Sequence, residues 1–133
     1  MSALVADTHA AIWYLSRSPK LSAPARAAMN RAEQSGEPVY VSSISLVEVA
    51  YLVEKGKLPE TAFDRLRDAL ADPLSGFVLA PLDRAIALAV RQIPREAVPD
   101  MPDRIITATS LFLNLPLVTR DPQIQAARIT TIW

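Results

Sequence analysis

Along this chain, short apolar runs alternate with longer stretches in which apolar residues recur at helical spacing. The first run, Leu4–Ala6, stops abruptly on Asp7 and reads as a buried strand. A helix is predicted directly after it, over Thr8–Leu15, with Ile12, Trp13 and Leu15 on its apolar side. Residues 16–20 form a loop. Ser22 can cap the next helix, with Pro24 in its first turn. That helix runs to about Gln34 and stops at Ser35-Gly36. Residues 38–41 make a second short strand. Residues 42–56 make a helix in which Ser45 and Glu48 spell a capping box. Pro59 opens a further helix, carrying Phe63, Leu66 and Leu70 until Asp72-Pro73 ends it.

The second half repeats the alternation. Phe77–Ala80 is a third strand, and Asp83 looks like the cap of a helix carrying Ile86, Leu88 and Val90. Residues 94–102 are a polar, proline-studded loop. Asp103 then opens a helix through about Leu113, with Ile105, Ile106, Thr109, Phe112 and Leu113 on its packed side. Residues 115–119 form a fourth strand, Asp121-Pro122 begins a short helical turn, and residues 129–133 form a last strand. Strands alternating with helices at these lengths predict an α/β fold with a mostly parallel sheet. Right-handed crossovers then bring the carboxyl ends of the strands to one edge. The helix pair between Ser43 and Leu70 has no strand inside it. It is expected to stand off the sheet as a hairpin, with apolar residues free for a dimer or a partner.

Composition narrows the picture. The 133 residues suffice for one domain with its own core. Eleven prolines against three glycines point to short, stiff connections. With no cysteine, disulfides and thiolate zinc sites are excluded. No stretch approaches the length of a membrane span and no signal peptide is visible, so a cytoplasmic protein is expected. The formal net charge is zero, so contact with nucleic acid would need a local patch, a metal ion or a partner.

Four acids carry the chemistry. Each alone has a structural explanation: Asp7, Asp103 and Asp121 could cap helices, and Glu48 could complete its capping box. Taken together, they lie at strand ends or helix starts along one edge of the sheet. That edge is where α/β sheets bind ligands. Carboxylates gathered there repel one another and need protons or a bound cation. Oxygen ligands, no cysteine and a single histidine favour magnesium, with manganese as a possible substitute. Such a site can activate water and stabilise both oxygens of an in-line phosphoryl displacement.

Four segments carry a resemblance to a known family. They are Val5-Ala-Asp7-Thr8-His9-Ala-Ala-Ile-Trp13, Ser42-Ser-Ile-Ser-Leu-Val-Glu48-Val, Asp100-Met-Pro-Asp103-Arg104-Ile-Ile-Thr-Ala-Thr109 and Leu115-Pro-Leu-Val-Thr119-Arg120-Asp121. In this order and spacing the chain resembles the PIN-domain nucleases, and within them the VapC toxins of toxin–antitoxin pairs. The resemblance implies a three-layer fold, with four or five short strands flanked by about seven helices, and a single PIN domain over residues 1–133. It implies that Asp7, Glu48, Asp103 and Asp121 are the catalytic, magnesium-binding quartet, with RNA hydrolysed by metal-activated water. Thr119 looks like the hydroxyl of the family's Thr-x-Asp motif, supporting Asp121, and Asp100 like a peripheral extra acid. A homodimer and a VapB-like antitoxin partner are further implications. This chain departs from relatives at residues 95–99, where His or Trp-His is frequent, so their substrates do not transfer.

Other residues have structural roles to set beside functional ones. His9 reads as a first-turn helix residue and Trp13 as core. Arg104 and Arg120 adjoin the acids, so both are candidates for phosphate contact or for simple charge compensation. Two other functions compete with a toxin. One is a non-catalytic, metal-binding regulatory module of PIN or receiver type, although a receiver's lysine is missing where Thr119-Arg120-Asp121 stands. The other is a PIN nuclease of RNA processing outside toxin systems.

Overall fold

The computed structural model describes residues 2–133. Five strands form one sheet: β1 (Leu4–Ala6), β2 (Val39–Ser42), β3 (Phe77–Ala80), β4 (Leu117–Val118) and β5 (Thr131–Ile132). Their order is β3-β2-β1-β4-β5 and every pairing is parallel. Among the described residues seven helices surround it. They are α1 (Thr8–Leu15), α2 (Ala23–Gln34), α3 (Ser43–Glu54), α4 (Glu60–Ala71), α5 (Arg84–Ala89), α6 (Met101–Leu113) and α7 (Pro122–Gln125). A short 3-10 turn, Val90–Gln92, follows α5.

Side-chain alternation along the strands divides the core in two. Leu4 and Ala6 of β1 join Val39 and Val41 of β2 on one face, under Ile12, Met29, Val49 and Leu66 from α1 to α4. Val5 faces the other way, with Leu117, Ile86, Ile106 and Ile124 from β4, α5, α6 and α7. The result is three layers, with β1 in the middle of the sheet. Strand order reverses at β1: the chain first builds outward to β3, then returns to add β4 and β5 on the other side. The crevice at the carboxyl ends of β1 and β4 is therefore the switch point where such sheets take ligands.

Several expectations need correction. The α3–α4 hairpin does not stand off the sheet. Val49, Ala62 and Leu66 are buried in the core, because α4 packs on α1 and β3 while α3 packs on α6 and β2. Leu88 and Phe112 are exposed rather than packed. The two late strands are shorter than their apolar runs. Pro116 has no N–H to donate, although its carbonyl still accepts from Val5 N at 2.9 Å. Finally, α6 starts at Met101, not at Asp103, because Asp100 caps it by accepting from Asp103 N at 3.2 Å. No helix among the described residues is long and apolar enough to cross a membrane.

Burial of Leu66 makes α4 integral to the core. Leu66→Ala is expected to cost about 2–5 kcal/mol, read from the denaturant midpoint. A loss below about 1 kcal/mol would show that α4 contributes little to the packed core.

Candidate active site

At the switch point lies an open cavity of about 460 Å³. Its lining carries five carboxylates, Asp7, Glu48, Asp100, Asp103 and Asp121, together with His9, Trp13, Arg120 and Trp133. All four acids of the predicted quartet thus reach one space, from a strand end, two helices and a helix cap.

Asp7 ends β1 and caps α1. One carboxylate oxygen accepts from Thr8 N at 2.7 Å, and the other accepts from the Thr119 hydroxyl at 2.7 Å. That second bond ties β1 to the end of β4. Thr119 is fully buried, and its hydroxyl also accepts from Asp121 N at 3.1 Å. The expected link between Thr119 and Asp121 therefore exists through the backbone, while the side-chain bond goes to Asp7. Asp121 itself caps α7 by accepting from Gln123 N at 2.9 Å.

Glu48 is not part of a capping box. Ser42 caps α3, accepting from Ile44 N at 3.3 Å, and Ser45 is buried inside the helix. Ser45 instead faces Thr8, with the two hydroxyl oxygens 2.8 Å apart. The Thr8 hydroxyl donates to Glu48 at 2.6 Å. Having only one proton, Thr8 then accepts from Ser45. The chain Ser45–Thr8–Glu48 thus aims a carboxylate into the cavity from the second turn of α3. Thr8 and Ser45 lie within the motif segments, and their spacing in the sequence does not reveal this pairing. A small hydroxyl directly after the strand-ending acid was the available signal. Nothing in the sequence pointed to Trp133.

Crowding shows in the acidities. Burial holds the Asp7 carboxyl above its ordinary range, against the pull of the Thr119 and Thr8 bonds, and Asp121 adds to the rise. Burial likewise raises Glu48, opposed by Thr8 and reinforced by Asp7 and Asp100. Asp103 is pushed furthest, to about 8, by burial and then by Asp7, Asp100, Asp121 and Glu48. Its carboxylate receives no hydrogen bond among the described residues, so nothing offsets the repulsion. His9 is held below its usual value by burial despite Asp7 nearby, with Arg120 and Lys20 lowering it further. A first-turn residue at the cavity rim, as read from the sequence, matches its position.

Among the described residues, no three carboxylate or imidazole groups are gathered tightly enough to enclose a metal ion by themselves. The donor set nevertheless fits a water-rich hard cation. Magnesium keeps several waters and needs only one or two direct carboxylates, and this cavity leaves room for them. A closed four-ligand zinc site does not fit these residues.

The two arginines part ways. Arg104 turns from the cavity and donates to the carbonyls of Val90 at 3.0 Å and Ile93 at 2.8 Å. It clamps the 3-10 turn onto α6, so its proposed phosphate contact is withdrawn. A helix turns about 100° per residue, so a neighbour of Asp103 in sequence need not share its direction. Arg120 does reach the cavity, and its guanidinium lies 4.6 Å from the centre of the Trp13 ring.

Known proteins share the sequence family and the fold. The family model described as PIN domain matches residues 4–129. Ribonuclease VapC22 of Mycobacterium tuberculosis is 28% identical over 138 residues, covering the whole of both chains. The fold is similar to that in VapBC2 from Rickettsia felis bound to a DNA fragment from its promoter, with TM-score 0.69 and 18% identity over 97% of this chain and 96% of that one. It is also similar to a toxin–antitoxin complex from Klebsiella pneumoniae, with TM-score 0.60 and 21% identity over 98% and 96% of the two chains.

Crowding sets a pH dependence in metal-free protein. The folded Asp103 carboxyl titrates at about 8, against an ordinary 3.8. Protonation of Asp103 therefore favours folding: the stabilisation is complete below 3.8 and is lost as pH climbs through about 8. Thermal midpoints in chelator are expected to fall across that window, and Asp103→Asn is expected to flatten the fall. An unchanged slope in Asp103→Asn would refute the crowding. Separately, Thr119→Val strands one Asp7 oxygen and the Asp121 amide. It is expected to cost about 1–3 kcal/mol in denaturant unfolding.

Proposed function

We propose that this chain, which belongs to the PIN-domain family, is a magnesium-dependent endoribonuclease of the VapC type, restrained by a cognate antitoxin. The observation that carries the reading is the convergence of Asp7, Glu48, Asp103 and Asp121 on one open cavity, with no ion pair to any of them among the described residues. The end-to-end likeness to a ribonuclease supports RNA as the substrate. Likeness in fold to toxin–antitoxin complexes supports an antitoxin partner. A homodimer, a cytoplasmic site of action and one catalytic unit over residues 1–133 belong to the same reading.

Asp7, Glu48, Asp103 and Asp121 would hold the cation. When bound, a divalent ion supplies positive charge that favours ionisation of water and stabilises charge on the reacting phosphate. The chain's own residues do the rest by position. Thr119 and Thr8 each donate to an acid, fixing the Asp7 and Glu48 oxygens without adding charge. Asp103, protonated up to about pH 8 when metal-free, would give up that proton to a bound cation. His9 lines the same cavity, and no step requires it as a base.

Expression of the wild type beside Asp7→Asn tests this reading. Growth arrest and magnesium-dependent RNA cleavage are expected for the first, with cleavage by Asp7→Asn down by about a thousandfold or more. RNA cleavage that persists in excess chelator would sink the metal mechanism. Cleavage without any growth effect would instead favour a processing nuclease over a toxin.

A further inference from the structure

We propose that Arg120, held against the Trp13 ring, grips the phosphodiester backbone of the RNA beside the acid site, with Trp13 as the residue that positions it. This rests on reading the cavity as a ribonuclease site.

The inference begins with what Arg120 leaves undone. Five carboxylates line the same cavity, and Asp121 is its neighbour in sequence. Yet the ion pairs among the described residues are those of Arg67 with Asp64 and Asp68. Arg120 joins neither, and among the described residues its side chain makes no hydrogen bond. Charge compensation of the acids, the blander role, is therefore not what it does. A guanidinium carries five N–H donors and no acceptor, so all of its donors remain available to a ligand.

Its placement is nonetheless fixed. The guanidinium carbon lies 4.6 Å from the centre of the Trp13 ring, well within cation–π range. Lys20 approaches the same ring only at 6.0 Å, the edge of that range. Trp13 cannot drift, being 8% exposed and packed in the main core. Trp133 braces it with ring centres 6.0 Å apart, and His9 flanks it at 5.3 Å. An exposed arginine normally loses rotamer freedom when it binds. Here much of that ordering is done before ligand arrives.

The chemistry selects the ligand. A cavity lined by acids repels a polyanion, and a chain of zero net charge offers no long-range attraction to offset it. A strand reaching the acids thus needs a cation in the same cavity. Arginine's planar donor fork suits the two free oxygens of a phosphodiester. Arg120 lines that cavity with its donors unspent.

The test uses full-length Asp7→Asn protein in magnesium, which keeps RNA intact, and a labelled single-stranded RNA oligonucleotide of mixed sequence. Adding Arg120→Ala is expected to weaken binding about tenfold at low salt. The slope of log affinity against log salt should shrink by about 0.7, the loss of one phosphate contact on a single strand. Arg120→Lys should keep the slope while losing part of the affinity. Trp13→Leu should weaken binding with the slope retained, and Trp13→Phe should restore it. A purely structural role for Trp13 would not produce that split. Arg120 is exposed, so its variants decide the matter even if Trp13→Leu unfolds. Trp13 and Trp133 are the two tryptophans of the chain and both line the cavity, so RNA should quench intrinsic fluorescence. Unchanged affinity and slope in the Arg120→Ala protein, while wild type still cleaves RNA, would overturn this inference and leave the ribonuclease reading standing. A wild type that neither binds nor cleaves RNA would overturn both.

Discussion

Carboxylates confined to one crevice repel each other, and the architecture around β1 is arranged to tolerate that repulsion rather than cancel it. The chain had basic residues to spend, with lysines and arginines equal in number to the acids. Among the described residues none of them forms an ion pair with the quartet. Arg104 is committed to the carbonyls of Val90 and Ile93, and Arg120 lies on Trp13. The contacts the acids do receive are neutral: hydroxyls from Thr8 and Thr119, and backbone amides. A neutral donor fixes an oxygen without discharging it, so the negative field in the cavity survives folding. That field is the condition for capturing a cation from solution.

The same hydroxyls serve as joints. Thr119 ties the end of β4 to the end of β1, and Thr8 ties α1 to α3 through Glu48 and Ser45. Elements far apart in sequence therefore meet through the site itself. Stability and chemistry share these residues, and replacement of a threonine disturbs both at once. The raised pKa values of Asp7, Glu48 and Asp103 express the cost of this arrangement in the metal-free protein. A proton on Asp103 offsets part of that cost up to about pH 8, and a bound cation would offset it instead.

Most of the scaffold was legible because periodicity reports burial. Buried β1 and β2 are apolar runs, and α1, α2, α5 and α7 begin at the Asp or Ser caps read from the sequence. What escaped was whatever depends on three-dimensional partners. Ser45 and Glu48 match a capping box, but Ser42 ends its strand one residue before the helix and takes the cap itself. Asp100 and Asp103 are equally good caps by type, and the first to reach the helix start prevailed. The α3–α4 hairpin looked free because strand count says nothing about which helix covers which face. Convergence of the four acids was legible from topology alone. The approach of Trp133 to Trp13 was not, since it comes about only through β5 pairing with β4.

The make-up of the cavity constrains how a neutral protein would handle a polyanion. Long-range steering needs net charge, and this chain has none. Attraction must then arise within about a Debye length, roughly 10 Å at moderate salt. Inside that range the acids work against a polyanion until a cation joins them, whereas Arg120, unpaired among the described residues, works for it from the outset. On the ribonuclease reading, substrate binding and cation binding would therefore be coupled by electrostatics alone, each lowering the cost of the other. That coupling would require no moving part. It would follow from gathering acids and one unpaired arginine in a single cavity.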